Sequence, residues 1–75
     1  MSSLLSALGK QIRLARKSAG LSQEALALKA KLDRSYMGRI ERGEANITVE
    51  LLYQIAIAIG VTPKDLLPST QYAKE

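Results

Sequence analysis

Side chains that could recognise a DNA base pair are concentrated near the middle of the chain. An arginine can donate two parallel hydrogen bonds to the acceptors of guanine, and a serine hydroxyl can donate or accept. A tyrosine ring can pack on a thymine methyl group. A solvated basic helix face is the alternative interpretation, because many surface arginines bind nothing. The residues that we predict to read bases are Arg34, Ser35, Tyr36 and Arg39.

Two short helices with a tight turn between them are needed to present these side chains. Ser22 is predicted to cap the first helix, over 22–30, and Asp33 the second, over 33–42, because their side-chain oxygens can accept from free first-turn amides. Gly43 is placed to end the second helix in a left-handed conformation. This spacing is typical of a helix-turn-helix, whose second helix enters the major groove of DNA.

The same stretch resembles the helix-turn-helix of the lambda-repressor/Cro-like (Xre) family of prokaryotic regulators. The segment LDRSYMGRIERGEANIT is similar, more narrowly, to controller proteins of restriction–modification systems, which share an Asp-Arg-Ser/Thr-Tyr opening and an Ile-Glu-Arg tail. The resemblance implies an all-α fold, a compact five-helix DNA-binding domain. The residues that carry the wider resemblance are Arg16, Gln23, Leu26, Ala27, Met37, Ile40, Glu41 and Gly43.

The resemblance also implies roles for individual residues. Arg16 is expected to contact a DNA phosphate and to form a structural ion pair with Glu41. Gln23 is expected to contact a phosphate, as in the family, where a base contact sometimes accompanies it; a solvated glutamine is the alternative. Such phosphate contacts position a protein on DNA without specifying sequence. The other residues predicted to contact phosphate are Lys17, Arg42 and Asn46.

Two residues depart from the family pattern without breaking it. Gly38 stands where serine is common, and Lys31 stands where the turn often has glycine. If the backbone at Lys31 has a positive φ, its side chain would strain the turn slightly.

The remaining sequence predicts three further helices within one domain that covers 1–75. Helix 1 is expected over about 4–19, helix 4 over about 48–59 and helix 5 over about 62–67, followed by a polar tail at 68–75. Thr48 is the predicted cap of helix 4. Leu66 is assigned mainly to the core.

Helix 4 has more apolar residues than one core stripe requires. The core pattern of the family accounts for Val49, Leu52, Ile55, Ala56 and Ile59. A helix that is apolar nearly all round must bury a second face. We therefore predict a homodimer interface that consists of Leu51, Tyr53, Ile57 and Leu67.

Composition excludes several classes of function. The 75 residues contain neither cysteine nor histidine, so the usual metal ligands and the usual acid–base catalyst are missing. Most of the acidic residues fall at predicted caps, first turns or the predicted ion pair, and no nucleophile has an adjacent base. We therefore predict no catalytic residue, no metal, no cofactor and no enzyme activity. No stretch is long and apolar enough to span a membrane, and a cytoplasmic protein is expected.

Basic charge is concentrated in the first part of the chain. Residues 1–42 contain nine basic and three acidic residues, whereas 43–75 contain two and four. This asymmetry is typical of a protein with one face for nucleic acid. We predict a transcriptional regulator that binds double-stranded DNA sequence-specifically, as a homodimer on a palindromic operator, without a small-molecule ligand.

The resemblance to controller proteins implies that the protein both activates and represses its own operon, and a contact with RNA polymerase stays open. The alternative is an antitoxin-type or phage-type repressor of the same family. In that case the surface of helices 4 and 5 would bind a different protein. A stable homodimer of the purified protein would weigh against this alternative.

Overall fold

The computed structural model describes residues 2–74, and within that range the chain is helical apart from its turns. The elements in chain order are α1 (Ser3–Ser18), α2 (Gln23–Lys29), α3 (Arg34–Glu41), α4 (Val49–Ile59) and two 3-10 helices, Pro63–Leu66 and Thr70–Lys74. The predicted all-α class is confirmed. The predicted count of five α-helices is not matched, because the last two elements are 3-10 helices.

The segment predicted as a fifth helix stops after a single 3-10 turn. Its start agrees with the prediction, because the Asp65 carboxylate accepts from the amide and the hydroxyl of Thr62 at 3.0 and 2.9 Å. Leu67 already has extended backbone angles, and Pro68 has no N–H to continue a helix. The tail beyond it, predicted only as a polar tail, forms the second 3-10 helix, which packs against α1.

The α-helices begin at capping side chains. Ser22, Asp33 and Thr48 each accept a hydrogen bond from the amide three residues further on, as the sequence predicted. Ser2 caps α1, accepting from the amide of Leu4 at 3.0 Å, so this helix starts one residue before the predicted position. These contacts satisfy amides that the first turn of a helix leaves without a partner.

A single apolar core holds α2 and α3 against α1 and α4. Its largest fully buried side chains are Ile12, Leu26, Met37, Ile40, Ile55 and Leu66. Each α-helix contributes at least one of them, so the position of the helix-turn-helix depends on the whole domain. Leu66 is in the core as predicted, and Leu67 is 54% exposed.

The turn between α2 and α3 closes around Lys31, which has a φ of 59°. Leu32 N–H donates to the carbonyl of Ala27 at 2.8 Å, and Lys31 N–H donates to that of Leu28 at 3.2 Å. This pair of bonds defines a Schellman motif, in which glycine is the usual residue at the left-handed position. Gly43 has a φ of 75° at the equivalent position of α3, as the sequence predicted. Lys31 therefore bears the backbone strain that glycine would avoid, on the order of 1 kcal/mol.

The structure exchanges the roles predicted for two residues of α4. Val49, expected in the core, is 71% exposed, whereas Leu51, expected in a dimer interface, is half-buried and packs against the core. The reason is helical spacing, because Leu51 lies one turn before the buried Ile55. Val49 instead lies one and two turns before Tyr53 and Ile57, both of which are exposed.

Gly9 allows α1 to cross closely over the end of α3. A Cβ atom at this position would lie 2.5 Å from the carbonyl oxygens of both Ile40 and Glu41. We expect Gly9→Ala to lower the free energy of unfolding by about 1–3 kcal/mol, because backbone atoms cannot move aside cheaply. Urea unfolding would measure this loss, with the exposed neighbour Lys10→Ala as control, at about 0.5 kcal/mol or less. An unchanged midpoint for Gly9→Ala would contradict this packing.

Candidate nucleic-acid interface

The outer side of α3 is left free by the way this helix packs. Met37 and Ile40 face the core, while Arg34, Ser35 and Arg39 are exposed. Two helices joined by a tight turn, with cations on the exposed side of the second, define a helix-turn-helix. The geometry thus matches the arrangement in which the second helix enters the major groove of DNA.

A buried ion pair fixes the orientation of α3 against α1. Arg16 Nε donates to Glu41 Oε2 at 2.7 Å, and Arg16 Nη2 donates to Glu41 Oε1 at 3.0 Å. Arg16 Nη1 also donates to the carbonyl of Leu21 at 2.9 Å, which ties the loop before α2 to the same group. The side chains of the pair are 9% and 4% exposed. Arg16 therefore connects the three segments that set the angle of the helix-turn-helix.

The same geometry means that Arg16 could contact a phosphate only while it keeps its bonds to Glu41. Three of the five guanidinium N–H groups are already used, and the side chain is buried. Turning the guanidinium towards DNA would leave the Glu41 carboxylate buried without its partner, which is costly. The structure thus shows the expected ion pair, and two guanidinium N–H groups remain for the phosphate contact, which stays a prediction.

Glu41 also holds Gln23 in place at the start of α2. Gln23 Nε2 donates to Glu41 Oε1 at 3.2 Å. A carboxylate paired with an arginine only accepts hydrogen bonds, so the amide nitrogen has to face it. The carbonyl oxygen of Gln23 therefore faces away from Glu41.

Four of the predicted DNA-contacting residues line one concavity of about 290 Å³ on the exposed side of α2 and α3. Its lining residues are Gln23, Arg34, Ser35, Gly38 and Arg42. Gly38 is the member that the sequence analysis did not assign to the site. The available signal was the glycine itself, at a position where the family often has serine. Without a side chain there, the backbone of α3 forms part of the concavity.

The first turn of α3 contains a local hydrogen-bond network. The Ser35 hydroxyl donates to Asp33 Oδ2, and the Tyr36 amide donates to the same oxygen at 3.3 Å. These two contacts, the Ser35 contact most strongly, hold the pKa of Asp33 below its usual value. Ser35 thus offers its oxygen as an acceptor. Tyr36 is half-buried and packs against the core, so only part of it can reach a ligand.

The remaining predicted contact residues lie outside the concavity. Arg39 and Lys17 are exposed. Arg42, at the edge of the site, pairs with Glu44 at 3.2 Å, but both side chains are exposed and solvent weakens the pair. Asn46 instead lines an apolar groove beside Leu4 and other residues of α1. The structure therefore does not bring Asn46 together with the residues around Gly38.

The residues that the structure describes include no group of three or more His, Cys, Asp or Glu side chains able to hold a metal ion. Within the same residues, no helix is long and apolar enough to cross a membrane.

Comparison with known proteins also places this chain among the helix-turn-helix proteins. The helix-turn-helix family model matches residues 12–66, and the chain belongs to this family. The control protein C.BamHI of Bacillus amyloliquefaciens is 44% identical over 61 residues, which are 81% of this chain and 73% of that protein.

Comparison with solved structures also finds similarity to restriction–modification controller proteins. The restriction–modification controller protein C.AhdI of Aeromonas hydrophila superposes with a TM-score of 0.82 at 40% identity, over 84% of this chain and 96% of C.AhdI. The controller protein C.Esp1396I, solved as a tetramer with its natural 35 base-pair operator, superposes with a TM-score of 0.78 at 39% identity, over 83% and 82% of the two chains. The predicted resemblance to controller proteins is confirmed.

Proposed function

We propose that this protein is a cytoplasmic transcriptional regulator that binds a palindromic operator as a homodimer and controls a restriction–modification operon. One observation carries the proposal. Arg34 and Arg42 are exposed around one concavity of the helix-turn-helix, and the buried pair of Arg16 and Glu41 fixes the orientation of that surface. The similarity to control proteins, one of them solved on its operator, supports the same assignment.

The residues of the site divide into two kinds of contact. We propose that Arg34, in the first turn of α3, reads guanine, and that the exposed Ser35 and Arg39 of the same helix make further base contacts. Arg42 and Lys17 are proposed to bind phosphate, which gives affinity without sequence information.

Dimerisation is proposed from the apolar surface of α4. Val49, Tyr53 and Ile57 recur every four residues and are 71%, 53% and 76% exposed, so they form one stripe. Leu67, 54% exposed, adds a fourth apolar side chain after the first 3-10 helix. A second copy of the chain would bury this stripe and place two recognition helices about one DNA turn, ~34 Å, apart.

Regulation then follows from where the operator lies. We propose, from the similarity to controller proteins, that the dimer activates its own operon at low occupancy and represses it at high occupancy. Activation would add a contact with RNA polymerase. The competing proposal, an antitoxin-type or phage-type repressor, uses the same α4 stripe to bind another protein instead of a second copy. The oligomeric state of the purified protein separates the two.

We expect Arg34→Ala to weaken binding at one cognate base pair by about 1–3 kcal/mol and to relax specificity there, because a bidentate guanine contact is lost. Fluorescence anisotropy with operator duplexes that vary one base pair at a time would measure both effects. Lys64→Ala is the control, because it also removes one exposed cation but lies outside the helix-turn-helix. An equal loss on all sequences would show that Arg34 reads no base.

A further inference from the structure

We infer that Gln23 reads an exocyclic amino group of a base in the major groove, adenine N6 or cytosine N4, and that Gly38 leaves the space for it. This inference rests on the proposed DNA-binding function. From the sequence, Gln23 was expected to contact phosphate, with a base contact sometimes accompanying it. The inference adds the direction of that base contact, the group it recognises and the role of Gly38.

The hydrogen-bonding direction of Gln23 is set from inside the protein. Its Nε2 donates to Glu41 Oε1 at 3.2 Å, and the same carboxylate accepts two bonds from Arg16. Turning the amide over would bring its carbonyl oxygen against a carboxylate oxygen, two acceptors without a proton between them. The Oε1 atom of Gln23 must therefore be on the side away from Glu41.

That oxygen lies over the bare backbone of Gly38. The position that a Cβ atom would take on Gly38 is 3.3 Å from Gln23 Oε1 and 3.1 Å from Arg42 Nη1. No hydrogen-bond partner for Gln23 Oε1 is present among residues 2–74. The site therefore contains a positioned acceptor that lacks a donor inside the protein.

The neighbouring groups do not compete for the same ligand atom. Arg34 and Arg42 can only donate, so they suit guanine oxygen and nitrogen acceptors or phosphate. An acceptor beside them suits a donor on a base edge, and in the major groove the exocyclic amino groups of adenine and cytosine are the donors. The second N–H of Gln23 Nε2 stays available for the predicted phosphate contact.

Gly38 is needed for this geometry rather than for stability. Glycine inside a helix costs about 0.5–1 kcal/mol relative to alanine. A side chain at this position would press against the ends of two flexible side chains, which can move. Gly38→Ala should therefore fold normally but displace Gln23 Oε1 from the base edge.

Base analogues test the inference directly. The DNA is an operator duplex obtained by selecting bound sequences from a random pool. Each adenine is replaced in turn by purine, which lacks the N6 amino group, and each cytosine by pyrimidin-2-one, which lacks the N4 amino group. We expect one position in each half-site where the replacement weakens binding of the unsubstituted protein about tenfold. At that position, the same replacement should weaken binding of the Gln23→Ala and Gly38→Ala variants by only about twofold or less. The analogue that causes the loss identifies the base as adenine or cytosine.

Two controls keep the result specific. Gln71→Ala removes an exposed glutamine from the second 3-10 helix. Binding of this variant should still weaken about tenfold when the base is replaced by its analogue. The thermal midpoint of Gly38→Ala should be equal to that of the unsubstituted protein or higher, because alanine favours a helix.

The possible failures are distinguishable. If Gln23→Ala stays as sensitive as the unsubstituted protein at every position, Gln23 reads no amino group, and the proposed function stands without this inference. The same conclusion follows if Gln23→Ala weakens all sequences equally and reduces the salt dependence, which is the behaviour of a phosphate contact alone. If the unsubstituted protein selects no sequence at all, the proposed function fails and the inference fails with it.

Discussion

Glu41→Ala should lower the free energy of unfolding by about 3–5 kcal/mol, the cost typical of removing one partner from a buried ion pair. The guanidinium of Arg16 would stay buried with only the Leu21 carbonyl as a partner. Because a small domain is stable by only about 5–15 kcal/mol in total, a large part of the variant would be unfolded at moderate temperature. Urea unfolding followed by circular dichroism, at one fixed protein concentration, measures the loss.

A second ion pair in the same chain supplies a matched control. Arg42 and Glu44 pair at 3.2 Å but are both exposed, so Glu44→Ala should cost no more than about 1 kcal/mol. Replacing both members of the buried pair, by Arg16→Met with Glu41→Leu, should recover much of the stability, because no unpaired charge remains. If Glu41→Ala costs as little as Glu44→Ala, the buried pair does not hold the recognition helix.

Tyr53→Glu together with Ile57→Glu should give a folded monomer. Both side chains are exposed on the stripe of α4, so the substitutions add charge to the proposed interface without disturbing the core. Binding to a palindromic operator should fall by about 10²–10⁴-fold, because the second half-site no longer gains from a linked partner. Binding to a single half-site should lose only the modest affinity that two added negative charges cost. Sedimentation velocity and anisotropy measure the two effects.

Thr70→Glu with Gln71→Glu is the control for this double variant. It adds the same two negative charges to an exposed segment outside α4. It should remain dimeric and should lose only the modest affinity that follows from a lower positive charge. Dimers that persist in the Tyr53 and Ile57 double variant would place the interface elsewhere. A loss of affinity in both variants alike would indicate a charge effect.

The helix boundaries could be predicted because capping is local. A Ser, Asp or Thr side chain reaches an amide three residues further on, so Ser22, Asp33 and Thr48 could be recognised from spacing alone. The strained turn at Lys31 was also predictable, because the expected backbone position normally requires glycine.

The assignment of faces on α4 was less predictable. Almost every residue of this helix is apolar, so the periodicity that separates core from surface is weak. Leu51 was consequently predicted in the interface and Val49 in the core, the reverse of what the structure shows. The four-residue spacing from Val49 to Tyr53 and Ile57 was nevertheless present in the sequence.

The burial of Arg16 depends on how two distant segments cross. Gly9 lets α1 approach the end of α3 closely, and Arg16 of the same helix pairs with Glu41 in the interior. The pairing could be expected from the resemblance, but the burial of the pair and its third contact, to the Leu21 carbonyl, could not. The orientation of Gln23 follows from the same buried carboxylate, so it too required the structure.

Selection from a random duplex pool at two salt concentrations would show whether this protein recognises a palindromic DNA sequence. The purified protein is mixed with the pool, and the retained duplexes are sequenced. We expect a palindromic motif at both salt concentrations, with half-sites about one helical turn apart, because base contacts persist when phosphate contacts are screened. Duplexes that are retained without a common motif, and are lost at the higher salt, would contradict sequence-specific binding and leave only a basic surface.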